Sequence, residues 1–276
     1  MLDSFAVSVA DLLRSAGETF VLPRFGRLAD SEIGTKAGPT DLVTIADKEA
    51  EAWLTPRLRD ILDGAVIGEE ACADNPAPAA AAGAPHAWTI DPVDGTNNFV
   101  KAKDRFCSMV ALLEEGTPVR SWIWLPRQRH LYYAEAGAGA VLCTDDAPPK
   151  PLRLASRRWV IGDLQGAASV RDVDEPEKTR LRDILRTMPG RWFPGSVGVL
   201  ATCIAKGEQQ FLMHASCTPW DHAPVDLLCR EAGAHAAMVD SGARYHAGAD
   251  SAFMIAPDIE AWNMLHRHLW PDGLAA

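Results

Sequence analysis

The sequence predicts an α/β protein in which sheets and helices pack as alternating layers. Strand-like and helical segments alternate along the second half of the chain, and two helical patterns precede a run of strands in the first half. The 276 residues allow one large domain or two small ones. With 47% hydrophobic and 23% charged residues, the composition is that of an ordinary globular enzyme with a sizeable core.

Two helices and five strands are predicted in the first half. Apolar residues recur at helical spacing from Phe5 to Phe20, which predicts a first helix. A second helical pattern runs from Asp47 to Ile61, and Pro56 should kink or split this helix. The Ala- and Pro-rich segment 75–85 is expected to be a surface loop. The predicted strands lie, in order, at residues 66–67, 88–90, 108–113, 119–125 and 131–134.

A composition shift at Asp145–Lys150 predicts a boundary between two subdomains, which we place at residues 1–147 and 148–276. Beyond this boundary, short apolar runs alternate with helical patterns. The predicted strands are residues 159–164, 210–213, 236–239 and 252–256, and the predicted helices are residues 177–188, 197–205, 221–232 and 259–269.

The net charge of −10, from 27 basic and 37 acidic residues, argues against non-specific binding to nucleic acid or to anionic membranes. No stretch approaches the roughly 20 apolar residues that a spanning helix needs. The six cysteines form no CxxC pair and are expected to be small buried residues. The N-terminus carries Asp3 and Asp11 and no basic start, which is not typical of a signal peptide, so we expect a cytoplasmic protein.

Four groups of acidic residues carry the functional prediction. Most of them directly follow an apolar run, and strand ends are where α/β proteins place ligand sites. Asp91 and Asp94 are separated by Pro92 and Val93, and Gly95 follows, so that a tight turn can direct both carboxylates to one point. Carboxylates suit Mg²⁺, and two such ions about 3.5–4 Å apart can clamp an in-line displacement at phosphorus. The remaining acids are Asp47, Glu69, Glu70 and Asp221.

Gly95 and Thr96 are predicted to form a phosphate site beside these acids. Thr96 precedes Asn-Asn-Phe and is a good helix cap, so the N–H groups of both residues would point at an anion. Taken singly, the acids have plainer interpretations: Asp221 as a helix cap, and Glu69 with Glu70 as solvated surface. The conjunction of all four groups favours a metal site.

These residues resemble the inositol monophosphatase family. Residues 91–99, Asp-Pro-Val-Asp-Gly-Thr-Asn-Asn-Phe, look like the family signature, and Gly68-Glu69-Glu70 and Trp220-Asp221 match in order and spacing. The resemblance spans the chain from Lys36 to Gly233. It implies an α-β-α-β-α layered sandwich of two subdomains, two to three Mg²⁺ ions, a homodimer, and hydrolysis of a phosphomonoester by a metal-activated water without a phosphoenzyme.

The resemblance also implies a role for each matching residue. The first metal would bind Glu69, Asp91 and the Val93 carbonyl, and the second would share Asp91. Thr96 with Asp47, and Glu69 through a third metal, would activate the water. Asp94 and Asp221 would also bind the second metal, and Glu70 would support the third. The residues near the phosphate would be Gly95, Thr96 and Lys36.

Two positions depart from the family pattern. Val225 stands where the family usually has a glycine, and His214 stands where inositol phosphatases usually have a glutamate that accepts hydrogen bonds from substrate hydroxyls. An imidazole cannot accept two such bonds, so we expect His214 to contact a different substrate and inositol 1-phosphate not to be the best one. The imidazole would also titrate near neutral pH, which predicts activity that falls above about pH 6.5.

Three functions compete at this point. The first is hydrolysis of a small soluble polyol, sugar or amino-alcohol phosphate. The second is a 3′-phosphonucleotide or sugar bisphosphatase, and the sequence does not rank these two. The third is a catalytically silent metal-binding dimer of the same fold, which predicts that at least one acid of the site, or Thr96, is lost. All of them are present.

Overall fold

Two β-sheets alternate with three layers of helices in this protein. The structure is a computed structural model that describes residues 2–36, 42–188, 190, 192–271 and 273, with the side chains of residues 77 and 78 also outside the description. The five layers follow one another as α, β, α, β and α, so the predicted layered α/β architecture is confirmed.

The first layer consists of α1 (Ser4–Ala16) and α2 (Ile45–Ile61). The Asp3 carboxylate caps α1 by accepting the Ala6 N–H at 2.7 Å, and the wide turn Gly17–Val21 prolongs it. Helix α2 continues through Pro56, so the predicted split is wrong. In front of α2, the short strands β1 (Ile33–Thr35) and β2 (Leu42–Thr44) form an antiparallel pair that the sequence analysis missed.

The second layer is a seven-stranded sheet whose strand order follows the chain. Only its first pair is parallel, and α3 (Glu69–Asp74) lies in the connection. In the same connection, residues 77–83 form 3₁₀ turns and Ala82 is buried, so the segment 75–85, predicted to be a surface loop, contains helical turns and one residue in the core. The strands are β3 (Ala65–Gly68), β4 (Ala87–Asp94), β5 (Cys107–Glu114), β6 (Thr117–Leu125), β7 (His130–Glu135), β8 (Gly139–Thr144) and β9 (Ala147–Leu152).

The predicted subdomain boundary at 147/148 falls inside β9, the edge strand of this sheet. The composition shift therefore marks a hairpin turn and an exposed edge strand, and the large sheet ends only at Leu152. Prolines on an edge strand are tolerated because their missing N–H groups face outward. The division into two subdomains stays a prediction.

The second sheet has four strands in the order β10, β11, β13, β12. The predicted strand at 159–164 is wrong: this segment contains a 3₁₀ turn at Ile161–Asp163. The edge strand is instead Gly166–Ser169, where a Cβ on Gly166 would lie 2.0 Å from the Phe211 carbonyl oxygen. Its small residues carry no hydrophobic signal. The strands are β10 (Gly166–Ser169), β11 (Phe211–His214), β12 (His235–Met238) and β13 (Phe253–Ala256).

Helices separate and cover the two sheets. The middle layer packs against both sheets, and the outer layer covers the far face of the small sheet. Three apolar cores fill the four gaps between successive layers, because one of them covers both faces of the middle layer. Trp88 and Trp122 are buried in the core between the first layer and the large sheet. No helix in the described ranges is both long and apolar enough to cross a bilayer. The helices are α4 (Thr96–Val100), α5 (Glu177–Thr187), α6 (Val197–Ala205), α7 (Pro219–Glu231) and α8 (Ile259–Leu269), of which α6 and α7 form the middle layer.

Candidate active site

The carboxyl end of β4 delivers the first two acids. The pairing of β4 with β5 shifts register between Asp91 and Asp94, which directs both carboxylates to one side. The Val93 N–H donates to Asp91 Oδ1 at 3.0 Å and fixes this turn. Gly95 follows with φ +92°, and a Cβ there would lie 3.0 Å from the carbonyl oxygens of Arg105 and Gly195. Both the positive φ and the lack of room for a Cβ favour glycine at this turn, as predicted.

Helix α7 delivers the third acid from the middle layer. Asp221 lies in its first turn, where the Thr218 hydroxyl donates to Asp221 Oδ2 at 2.8 Å. One carboxylate oxygen from each of Asp91, Asp94 and Asp221 lies within 4.8 Å of the other two. The structure therefore brings together three acids that are up to 130 positions apart in the sequence.

These carboxylates repel one another in a buried setting. Burial, followed by the charges of Glu69 and Asp94, raises the pKa of Asp91 well above its ordinary value. Burial and the charge of Asp221 raise the pKa of Asp94 to about 7, and burial also raises the pKa of Asp221. Because the donors are all carboxylate oxygens, the cluster fits hard divalent cations such as Mg²⁺, whose charge would remove the repulsion.

Asp94 is held by the start of α6. The Ser196 hydroxyl donates to Asp94 Oδ2 at 2.5 Å, the Gly198 N–H to the same oxygen at 2.6 Å, and the Val197 N–H to Oδ1 at 3.1 Å. The Ser196 hydroxyl also accepts the Val199 N–H and caps α6. Ser196 was not among the predicted site residues, because a serine before a helical run indicates a cap, whereas its contact with Asp94 arises only from tertiary packing.

Glu69 and Glu70 begin α3 and meet Lys36. The Lys36 ammonium lies 2.7 Å from Glu69 Oε1 and 2.7 Å from Glu70 Oε1. Burial opposes the ammonium charge, but the two carboxylates raise the pKa of Lys36 above its ordinary range. Burial raises the pKa of Glu69 too, and raises that of Glu70 to about 8 against the opposing effect of Lys36. Glu51, which the sequence analysis missed, accepts the Glu70 N–H at 2.8 Å and orients this pair.

Thr96 and Asp47 form a second polar contact beside the cluster. The Thr96 hydroxyl lies 3.4 Å from Asp47 Oδ1 and 3.0 Å from the Val93 carbonyl oxygen. Asp47 is fully buried at the start of α2, and Thr44 donates to its other oxygen through both its N–H and its hydroxyl. Burial raises the pKa of Asp47 to about 6. The predicted pairing of these two residues is thus compatible with the geometry.

His214 lies at the end of β11 and contacts another histidine. Its Nδ1 is 3.0 Å from Nε2 of His222, which in turn contacts the backbone of Thr218. Burial, followed by the charges of His222 and Arg171, lowers the pKa of His214 to about 3. The expected titration near neutral pH is therefore wrong, because a buried imidazole stays neutral there. Contact of His214 with substrate stays a prediction.

The acidic side chains line a cavity of about 260 Å³. Its size suits a small molecule. Arg171, Phe193 and Gly195 also line it and were not predicted from the sequence, because they come from irregular segments after β10 and before α6. The described lining residues are Leu42, Glu69, Asp91, Val93, Asp94, Gly95, Thr96, Asn97, Arg171, Phe193, Gly195 and Asp221.

The chain matches the inositol monophosphatase family over residues 2–269. It is 30% identical over 230 residues to the histidinol-phosphatase of Mycobacterium tuberculosis, covering 82% of this chain and 84% of that protein. It is 28% identical over 230 residues to the inositol-1-monophosphatase of Mesorhizobium japonicum, covering 79% of each. A solved structure of an IMPase/NADP phosphatase complexed with Mg²⁺ and phosphate matches with a TM-score of 0.73 and 22% identity, over 96% of this chain and 94% of that one.

The five-layered fold, the acidic cluster and these similarities define a class of enzyme, the phosphoric monoester hydrolases. The chain belongs to the inositol monophosphatase family. The resemblance that the sequence motifs indicated is therefore confirmed. The related proteins are named for different phosphate esters, so the similarity gives the reaction class and leaves the alcohol open.

Proposed function

We propose that this protein hydrolyses a small soluble phosphomonoester with the help of Mg²⁺. The observation that carries the proposal is the cluster of Asp91, Asp94 and Asp221, whose oxygens lie within 4.8 Å of one another in the lining of a small cavity. Buried acids that share a site are costly unless cations compensate them. Such a cluster in a cavity that suits a small molecule supports a metal-dependent phosphatase.

The ligand set proposed for the metals follows the geometry of the cluster. After burial, the charges of Glu69, Asp94 and Asp221 all raise the pKa of Asp91. Asp91 is the residue proposed to bind two ions. Asp94 and Asp221 would hold one of them, and Glu69 with the Val93 carbonyl the other. Glu70 would act on a third ion through water. When bound, Mg²⁺ supplies charge for the transition state and lowers the pKa of a coordinated water.

The phosphate is proposed to lie against Gly95 and Thr96. Gly95 is the N-terminal cap of the short α4 and Thr96 is its first residue, so the predicted cap role of Thr96 is wrong. Both residues line the cavity directly after the metal ligands. Their N–H groups would donate to phosphate oxygens, as helix starts commonly do. Lys36 would also contribute positive charge. It donates to Glu69 and Glu70, and these carboxylates would bind cations as well.

Thr96 and Asp47 are proposed to orient the attacking water and to take its proton. The Thr96 hydroxyl lies within reach of the Asp47 carboxylate and the Val93 carbonyl oxygen, and it can donate its single proton to only one of them. Because the Val93 carbonyl is proposed to bind a metal, the proton would go to Asp47, and the Thr96 oxygen would then accept from a water. Glu69 would complete this catalytic set from the other side of the cavity. Asp47 is anchored by Thr44 and therefore holds the hydroxyl in one orientation.

The substrate is proposed to be a polyol, sugar or amino-alcohol phosphate, with a 3′-phosphonucleotide or sugar bisphosphate as the alternative. One related protein is named for histidinol phosphate and another for inositol 1-phosphate, which supports the small-alcohol class. A catalytically silent role is disfavoured because the complete set of acids is present. A cytoplasmic homodimer, without nucleic-acid or membrane partners, remains the expectation from the sequence.

Phosphate release from a panel of phosphomonoesters, with Mg²⁺ and with EDTA, tests the proposal. We expect at least one member to be hydrolysed with Mg²⁺ and the activity to disappear in EDTA and return when Mg²⁺ is restored. Hydrolysis that persists in EDTA would overturn the metal mechanism. No hydrolysis of any ester, by protein that is folded and binds Mg²⁺, would favour the silent role.

A further inference from the structure

Side chains of both charges line the 260 Å³ cavity. The acidic ones are Glu69, Asp91, Asp94 and Asp221, and Arg171 is the only positively charged side chain among the described lining residues. In the proposed function, metal ions and the phosphoryl group of the substrate bind at the acids and balance their charge. The charge of Arg171 would then remain uncompensated.

The topology of the small sheet places Arg171 beside the region where the alcohol part of a substrate would lie. Strands β10 and β11 are parallel, with Ser169 opposite His214, so Arg171 follows the sheet edge two residues further on. The charge of Arg171 contributes to lowering the pKa of His214, the position where the resemblance implies contact with substrate hydroxyls. Arg171 therefore lines the cavity and also lies near His214, on the side where the resemblance implies the alcohol part of a substrate.

The guanidinium has no carboxylate partner in the part of the chain that the structure describes. The adjacent Asp172 is engaged elsewhere, since it accepts the Ser216 hydroxyl at 2.6 Å and does not line the cavity. Arg171 itself is exposed, and Phe193, which also lines the cavity, is 54% exposed. A planar guanidinium without a carboxylate partner among the described residues matches a carboxylate or phosphate.

We propose that Arg171 is a specificity-determining residue that binds a second anionic group, carboxylate or phosphate, on the alcohol part of the substrate. This inference rests on the proposed phosphatase function and deepens it by narrowing the substrate class. A neutral polyol phosphate would leave the guanidinium without an ionic partner. A substrate with two anionic groups places one on the metals and the other on Arg171.

Matched pairs of esters test the proposal in the Mg²⁺-loaded full chain. The first pair is 3-phosphoglycerate and glycerol 3-phosphate, and the second is fructose 1,6-bisphosphate and fructose 6-phosphate. For wild type, we expect a higher kcat/KM for the member with two anionic groups. Arg171→Ala should lower kcat/KM for that member by about tenfold, chiefly through KM. It should leave kcat/KM nearly unchanged for the member whose alcohol part is neutral.

Two further variants distinguish charge recognition from structural damage. Arg171→Lys keeps the charge without the planar fork and should retain part of the preference. Arg186→Ala removes an exposed arginine of α5 that does not line the cavity and should leave both members unchanged. The wild-type preference should also shrink at high salt, because the contact lies at an exposed rim.

The outcomes separate this inference from the proposed function. Equal losses for both members of each pair in Arg171→Ala would overturn the inference, since the residue would then act on the shared phosphate or on the fold. An unchanged preference in Arg171→Ala would overturn it as well. If Mg²⁺-dependent hydrolysis is absent for every ester, the proposed function fails, and the inference fails with it.

Discussion

At the scale of single residues, Thr96 and Asp47 form one hydrogen-bonded unit. We expect Thr96→Ala and Asp47→Asn each to lower kcat, because each removes part of the path by which the water loses its proton. Since the Thr96 hydroxyl can pass a proton to Asp47 only when both residues are present, losing either residue disables the same step. The double variant should therefore be scarcely slower than the slower single variant.

Steady-state kinetics of the four proteins at saturating Mg²⁺ gives the coupling between the two residues. Losses that multiply in the double variant would show that Thr96 and Asp47 act separately, and the proposed proton path would be wrong. Thr96→Ser is the matched control, because it keeps the hydroxyl and should retain most of the rate.

Asp226 is a buried acid that lies outside the metal cluster. It forms an ion pair with Arg230 one turn later in α7, and its Oδ1 has no hydrogen-bond partner among the described residues. Burial raises the pKa of Asp226 from 3.8 to about 6, against the effect of Arg230. Between these two values the folded protein keeps a proton that the unfolded chain releases, so stability from this group is lost as pH rises.

Asp226→Asn should remove this pH-dependent contribution. Relative to the variant, the wild type is expected to gain stability as pH falls from about 7 to 4, by up to about 3 kcal/mol for a shift of about two units. Urea unfolding of both proteins across this range in EDTA measures the difference, in which the titration of the metal-site acids cancels. Parallel stability curves would contradict the assignment.

At the scale of elements, the start of α6 positions a proposed metal ligand. Ser196 caps the helix and donates to Asp94, so one hydroxyl links the middle layer to the end of β4. Groups that orient a metal ligand typically change metal affinity by about 10–100-fold when they are removed. Ser196 is therefore a positioning residue in this account and does not touch the substrate.

Ser196→Ala should lower the melting temperature, because a lost cap costs about 1 kcal/mol, and should raise the Mg²⁺ concentration for half-maximal activity by about tenfold. Asp258→Ala is the matched control, since Asp258 caps α8 by accepting the Ala261 N–H far from the site. It should destabilise the protein without changing the Mg²⁺ requirement. If both variants shift only the melting temperature, Ser196 is a helix cap and nothing more.

The elements also show where sequence patterns succeed. Helices with a periodic apolar face, such as α5 and α8, and the hydrophobic strands β5 and β6 were predicted close to their observed bounds. The polar, proline-containing β9 and the Gly-Ala-Ala-Ser strand β10 were not, because edge strands need little apolar surface. Only the neighbouring strand shows that Gly166 belongs to a sheet.

At the scale of the whole molecule, the layers bring the site together. Asp91 and Asp94 belong to the large sheet and Asp221 to the middle helical layer, so the cluster exists only when these layers pack. The sequence predicted these ligands because a recognisable motif surrounds each one. It could not predict Arg171 or Ser196, which have no local signature and acquire their position from packing.

The central claim is that this interlayer cluster is the catalytic metal site, and Asp91→Asn tests it most directly. The carboxamide keeps an acceptor for the Val93 N–H but removes the charge that two ions are proposed to share. In EDTA the variant should unfold at no lower temperature than wild type, because one repelling charge is gone. Asp183→Asn, an exposed acid of α5, is the control and should behave as wild type.

The measurement is kcat at saturating Mg²⁺ for the ester that the wild type hydrolyses best. We predict a loss of at least about 10³-fold in Asp91→Asn, since removing a shared metal ligand forfeits several kcal/mol of transition-state stabilisation. A folded Asp91→Asn protein whose kcat stays within about tenfold of wild type, a difference of about 1.4 kcal/mol, would contradict the account.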